Sequence, residues 1–115
     1  MKSRVFACLA LACVAAPLSA HAFLDHASPG AGAVLATSPK TLMLVFSDEL
    51  EPESSGVAVV DGSGHSVASG RAVVERNCIM APLRPLGAGR YRVVWHAVSL
   101  DDHRTQGAYD FVIRP

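Results

Sequence analysis

Arg90-Tyr91-Arg92-Val93-Val94-Trp95-His96-Ala97 is the most regular stretch of the chain. Tyr91, Val93, Trp95 and Ala97 fall on one face, and Arg90, Arg92, Val94 and His96 on the other. That period of two is the mark of a strand with one face buried. A Leu86-Gly87-Ala88-Gly89 turn precedes the run, and a second strand-like run over residues 108–113 follows it. Outward from this pair the same grammar repeats. Residues 23–27 read as a short first strand, ended by Ser28-Pro29-Gly30. Residues 31–38 read as a small-residue connection stopped by Pro39. Residues 41–46, Thr-Leu-Met-Leu-Val-Phe, form a continuous apolar run suited to a sandwich interior. Residues 56–60 are the next strand, closed by the Asp61-Gly62-Ser63-Gly64 hairpin turn, where glycine supplies positive φ. Shorter candidates follow at 65–69, 71–75 and 77–81. No interval shows sustained helical periodicity. The reading is all-β: a Greek-key β-sandwich of about seven strands.

The first residues stand outside that domain. Lys2 and Arg4 precede an almost wholly apolar run over residues 5–18, followed by the small residues Ser19, Ala20 and Ala22. This is the pattern of a secretory signal peptide, too short and wrongly flanked for a membrane span. A buried helix there would sit oddly beside an all-β domain. The expected division is a signal peptide over 1–20 and one domain over 21–115, with no membrane span in the mature form. Loss of 20 of the 115 residues leaves 95, enough for one small core. Without Lys2 and Arg4, a chain of ten basic and ten acidic residues has a net charge of −2. That gives no footing for nucleic acid or an anionic surface. Cys8 and Cys13 leave with the signal, so Cys78 remains alone and no internal disulfide can form. In its apolar run Cys78 reads as a small buried hydrophobe.

Between the two late strands lies Val98-Ser99-Leu100-Asp101-Asp102-His103. In extended backbone, Asp101 and His103 project to the same side and Asp102 to the other. A carboxylate and an imidazole are two ligands, too few for a strong metal site without more donors.

The ordered motifs together resemble the CopC/PcoC copper resistance proteins of the bacterial periplasm. They are His21-Ala22-Phe23-Leu24, Ser28-Pro29, and Leu44-Val45-Phe46-Ser47 before an acidic residue. The glycine turn leading through Tyr91 to Trp95, then Val98-Ser99-x-Asp101-x-His103, then Gly107-x-Tyr109-x-Phe111 complete the set. The resemblance covers essentially the whole mature chain. It implies an immunoglobulin-like or cupredoxin-like sandwich that carries copper rather than catalyses a reaction. It implies one Cu(II) per chain, held by the amine and ring of an N-terminal His21, with Asp101 and His103. Asp48, with Glu49 beside it, takes the place of an acidic residue near the site in some members. A monomer delivering copper to an inner-membrane transporter of the CopD type is the implied partnership. Many members also hold Cu(I) in a Met-rich loop in the middle of the chain. Here the only methionines after the signal, Met43 and Met80, lie inside apolar strands, where a flexible core residue is expected. The chain therefore reads as carrying the Cu(II) site alone.

The chemistry agrees with that donor set. A terminal His chelates through amine and ring together, His103 adds a nitrogen and Asp101 an oxygen. Nitrogen and oxygen donors in a tetragonal array suit Cu(II), whereas zinc prefers a tetrahedron. Acid competes for the nitrogens, whose reference pKa values are about 7.7–8.0 for the amine and about 6.5 for imidazole. Everything turns on the leader cut. By the small-x-small rule alone, Ala20-His21-Ala22 favours cleavage before Phe23; the resemblance places it before His21.

The other histidines read more simply. His26 is a surface or sheet-edge residue, His65 follows a hairpin turn, and His96 lies opposite the Trp95 face. Asp102 is a solvent-facing turn residue. A terminal-His copper site also resembles that of lytic polysaccharide monooxygenases, but Tyr91 and Trp95 alternate with the core and leave no aromatic platform for a glycan. A metal-free interaction module is the third reading, which tight stoichiometric copper binding would exclude.

Overall fold

The computed structural model describes residues 23–115, and the expected signal peptide and His21 lie outside that range. The described residues form eight strands: β1 (Leu24–Ser28), β2 (Val34–Leu35), β3 (Thr41–Phe46), β4 (Gly56–Val60), β5 (Val73–Glu75), β6 (Cys78–Pro82), β7 (Gly89–Val98) and β8 (Arg104–Ile113). They make two four-stranded sheets, ordered β1-β3-β6-β5 and β2-β8-β7-β4. Pairing is antiparallel except for the short β2, which runs parallel to β8. The chain changes sheet at most of its connections, so the fold is an interleaved β-sandwich, as the sequence predicts. Among the described residues no helix is long and apolar enough to cross a membrane.

Eight strands among the described residues agree with the predicted seven or so, but two internal segments differ. The small-residue connection at 31–38 contains β2, held by its register on Val112 and Ile113. The candidate at 65–69 forms no strand, only single bridges from Ser66 to Val60 and from Ala68 to Leu83. Two residues of side-chain alternation carry too little signal to separate a strand from a connection.

The core follows the period of two. Tyr91, Val93, Trp95 and Ala97 of β7 are buried, while their neighbours Arg90, Arg92, Val94 and His96 are exposed. Leu42, Leu44 and Phe46 of β3 face them across the sandwich, with Phe46 edge-on to Trp95 at a centroid distance of 5.2 Å. Gly107 lies opposite Trp95 in the β7–β8 ladder, and a Cβ there would sit 2.7 Å from the indole. A side chain at 107 and the tryptophan cannot share that space. The phenol of Tyr109 donates to the Pro29 carbonyl at 2.8 Å, tying β8 to the end of β1, and burial raises its pKa to about 12.

The expectation of an interior run at 41–46 needs correction. Met43 is 36% exposed and Met80 is 42% exposed, so neither is a core residue. Only one face of this sheet is covered, so odd positions of β3 and even positions of β6 face outward. Cys78 shares that outer face and is half-buried rather than buried.

Candidate metal centre

One end of the sandwich gathers the start of β1, the loop between β3 and β4, and the turn between β7 and β8. Phe23 donates its backbone N–H to Ser47 Oγ at 2.9 Å and accepts from the Ser47 N–H at 2.8 Å. Within β1, Leu24 pairs with Phe46 and His26 with Val45, leaving Asp25 as a bulge. The β3–β4 loop in turn clasps the β7–β8 turn. Leu50 bridges Ser99, the Leu100 N–H donates to the Glu49 carbonyl at 3.2 Å, and the Glu51 N–H donates to the Val98 carbonyl at 2.7 Å.

The β7–β8 connection is a tight turn, not the extended backbone that the sequence suggests. Ser99 N–H donates to the His103 carbonyl and Asp102 N–H to the Ser99 carbonyl, both at 2.9 Å. Asp102 takes a φ of 72°, where aspartate is among the few non-glycine residues that settle readily. Its side chain points to solvent and lies 3.6 Å from Arg104. Asp101 and His103 still converge, but through the turn rather than through strand alternation. Asp101 Oδ2 lies 3.3 Å from His103 Nδ1.

Ser99 is what makes the turn a fixed object. It is 1% exposed, the one buried polar residue beneath the turn. Its hydroxyl donates to Asp101 Oδ1 and accepts the His103 backbone N–H at 3.1 Å. The Ser99 hydrogen bond, with the nearby His103 imidazole adding to it, holds the Asp101 carboxyl below the usual carboxylate range. An ionised Asp101 with one oxygen anchored presents the other to an imidazole or a cation. The sequence reading names Asp101 and His103 but misses Ser99. A serine two residues before an Asp-x-His is the available signal, and it reads as an ordinary turn residue until its burial is known.

Asp48 stands on the neighbouring loop. It lines a cleft with Ser47, Glu49, Arg76 and Asn77, and it is the backbone of Glu49 that touches the turn. Among the described residues no three of His, Cys, Asp and Glu converge on one point. The pair therefore stays a pair within residues 23–115. His96 lies over Gly56 on the outer face of its sheet, His65 is 78% exposed at its side chain, and His26 is exposed on β1. Tyr91 and Trp95 are in the core and offer no platform to a glycan.

The fold and this end together define a small all-β sandwich that displays an anchored Asp–His pair in a turn held by the loop that also pins its N-terminal strand. A family model for the CopC domain matches residues 24–114. The chain is 33% identical over 110 residues to copper resistance protein C of Pseudomonas syringae pv. tomato, covering 88% of this chain and 86% of that protein. It is 32% identical over 99 residues to protein YobA of Escherichia coli K12, covering 83% and 80% respectively. Among solved structures, CopC from Methylosinus trichosporium OB3b superposes with a TM-score of 0.75 at 32% identity, covering 83% of this chain and 95% of that one. The chain belongs to the CopC family.

Proposed function

We propose that this protein is a periplasmic copper carrier serving copper resistance and homeostasis, which binds one Cu(II) at the described end of the sandwich. Membership of the CopC family and its similarity to copper resistance protein C support copper as the cargo. The observation that carries the site is the Asp101–His103 pair at 3.3 Å, set on a buried Ser99 in a turn clasped by the same β3–β4 loop that pins the start of β1. His21 precedes Phe23 by two residues, and two residues of extended chain reach about 7 Å. A signal peptide cut after Ala20 would thus free an amine and an imidazole within reach of the loop that clasps the turn. In this reading His21 supplies two nitrogens, His103 a third and Asp101 an oxygen, a donor set matched to Cu(II). Asp48 and Glu49 add negative charge on the adjoining loop and favour the approach of a dication.

The protein acts by holding and releasing its metal rather than by transforming a substrate. Release follows competition from protons as pH falls, with Asp101 the donor held ionised to lower pH. Delivery to a CopD-type membrane transporter, by a monomeric carrier, completes the proposal. The test is intact mass of the exported protein, with and without copper. A chain that begins at His21 and retains one copper ion is the expected result. A chain that begins at Phe23, or one that takes up no Cu(II) in titration, overturns the site.

A further inference from the structure

The described chain contains three sulfur residues, Met43, Cys78 and Met80. All three line one groove of about 300 Å³ on the outer face of the β1-β3-β6-β5 sheet. Met43 of β3 stands directly opposite Met80 of β6, and Cys78 precedes Met80 by two positions on the same face. Side chains directly opposite in a ladder have Cβ atoms about 4.5–5.5 Å apart, and diagonal ones about 7–8 Å. Three rotatable bonds let each methionine swing its sulfur across those gaps. The placement is unusual for residues of this type. Methionine and cysteine are among the more buried residues of globular proteins, yet both methionines here face out. Val73 of β5 lies opposite Met80 on the other side and gives the groove an apolar wall, while Glu75 and Arg76 at its rim offset one another in charge. Sulfur donors in an apolar, open groove are poor company for a hard or borderline dication. They suit a soft monovalent one.

We propose that Met43, Cys78 and Met80 form a second metal site, selective for Cu(I) through two thioethers and one thiolate. It lies on the face of the sheet, apart from the nitrogen and oxygen donors at the end of the sandwich. It also departs from the sequence expectation of a Cu(II) site alone, because that expectation rests on both methionines being in the core. Binding forms a copper–sulfur bond at Cys78 and releases the thiol proton to solvent, with no change in oxidation state. The site does not depend on His21 or on where the leader is cut.

The experiment is an anaerobic Cu(I) titration against a chromophoric Cu(I) chelator, with Ag(I) as a redox-silent probe followed by NMR of the methionine ε-methyl groups. It uses the exported protein carrying His103→Ala, so that the end site and this one fail separately. The expected result is one equivalent of Cu(I) held, with both ε-methyl signals shifting together on addition of one Ag(I). Cys78→Ser and the volume-conserving pair Met43→Leu/Met80→Leu should each weaken Cu(I) binding by at least the roughly 10–100-fold typical of perturbing a metal site. Unmoved methyl signals at one equivalent of Ag(I) would overturn the proposal. So would affinity that depends on Cys78 but not on the methionine pair, which is a lone thiolate, or Cu(I) binding that disappears with His103→Ala alone.

Discussion

Two turns in this molecule carry the same pair of side chains. At one end of β4, Asp61 and His65 stand 3.9 Å apart; between β7 and β8, Asp101 and His103 stand 3.3 Å apart. In both, hydrogen bonds hold the carboxyl below its usual range. The difference lies in what supplies them. Asp61 accepts the backbone N–H groups of Ser63 and His65 within its own turn, an aspartate capping a hairpin. Its carboxylate is consumed in building the loop, and the imidazole is left 78% exposed. Asp101 is instead anchored by a hydroxyl buried beneath the turn, and its partner His103 is only 39% exposed at its side chain. A carboxylate beside an imidazole is thus a frequent consequence of turn chemistry. It becomes a candidate site when a buried third group fixes it and another segment of chain is led to it.

Substitutions can break that contrast in order of severity. His103→Ala should lower Cu(II) affinity by more than about 100-fold, beyond the range seen for supporting groups, whereas His65→Ala should leave it unchanged. Competitive Cu(II) titration of both variants checks this, and equal losses would remove the distinction between the turns. Ser99→Ala keeps every ligand but frees the Asp101 carboxylate and orphans the His103 N–H. A loss of about 10–100-fold in copper affinity is expected, with the fold retained by circular dichroism. Unaltered affinity would show that the anchor serves the turn alone.

Acid separates the two turns less sharply. A carboxylate with a depressed folded-state pKa stabilises the fold above its unfolded value of about 3.9, and that contribution is lost as pH falls through the depressed folded value. Both Asp61 and Asp101 therefore stay ionised to lower pH than an ordinary carboxylate. Copper should leave on acidification, as protons compete with the metal for its donors, while the emission of buried Trp95 is unchanged. Simultaneous loss of copper and tryptophan signal would mean that metal release needs unfolding. The smallest effect belongs to Asp61→Ala, which should lower the thermal midpoint slightly and not alter copper affinity. A change in affinity there would link the two turns through the sheet.

The strands of this protein announce themselves where alternation is long. Ten residues of β7 with a buried Tyr91, Val93, Trp95 and Ala97 admit one reading, and that stretch alone implies a covered face and an open one. The two-residue β2 and the 65–69 segment, which makes only single bridges, carry no such pattern, because pairing with a partner strand decides them. The resemblance of the motifs to CopC proteins is legible in the sequence, as is the pairing of Asp101 with His103. Sequence spacing could not say that they meet across a turn, since the positive φ of Asp102 and the hydrogen bonds that close the turn on Ser99 belong to the folded chain. Nor could it say which apolar strand residues face water. A run such as Thr-Leu-Met-Leu-Val-Phe satisfies a strand buried on both faces or on one, and only the packing of the second sheet chooses. That choice put Leu42, Leu44 and Phe46 into the core and turned Met43 outward beside Met80 and Cys78. Covalent order sets the period of the side chains, but burial depends on what the fold brings against each face.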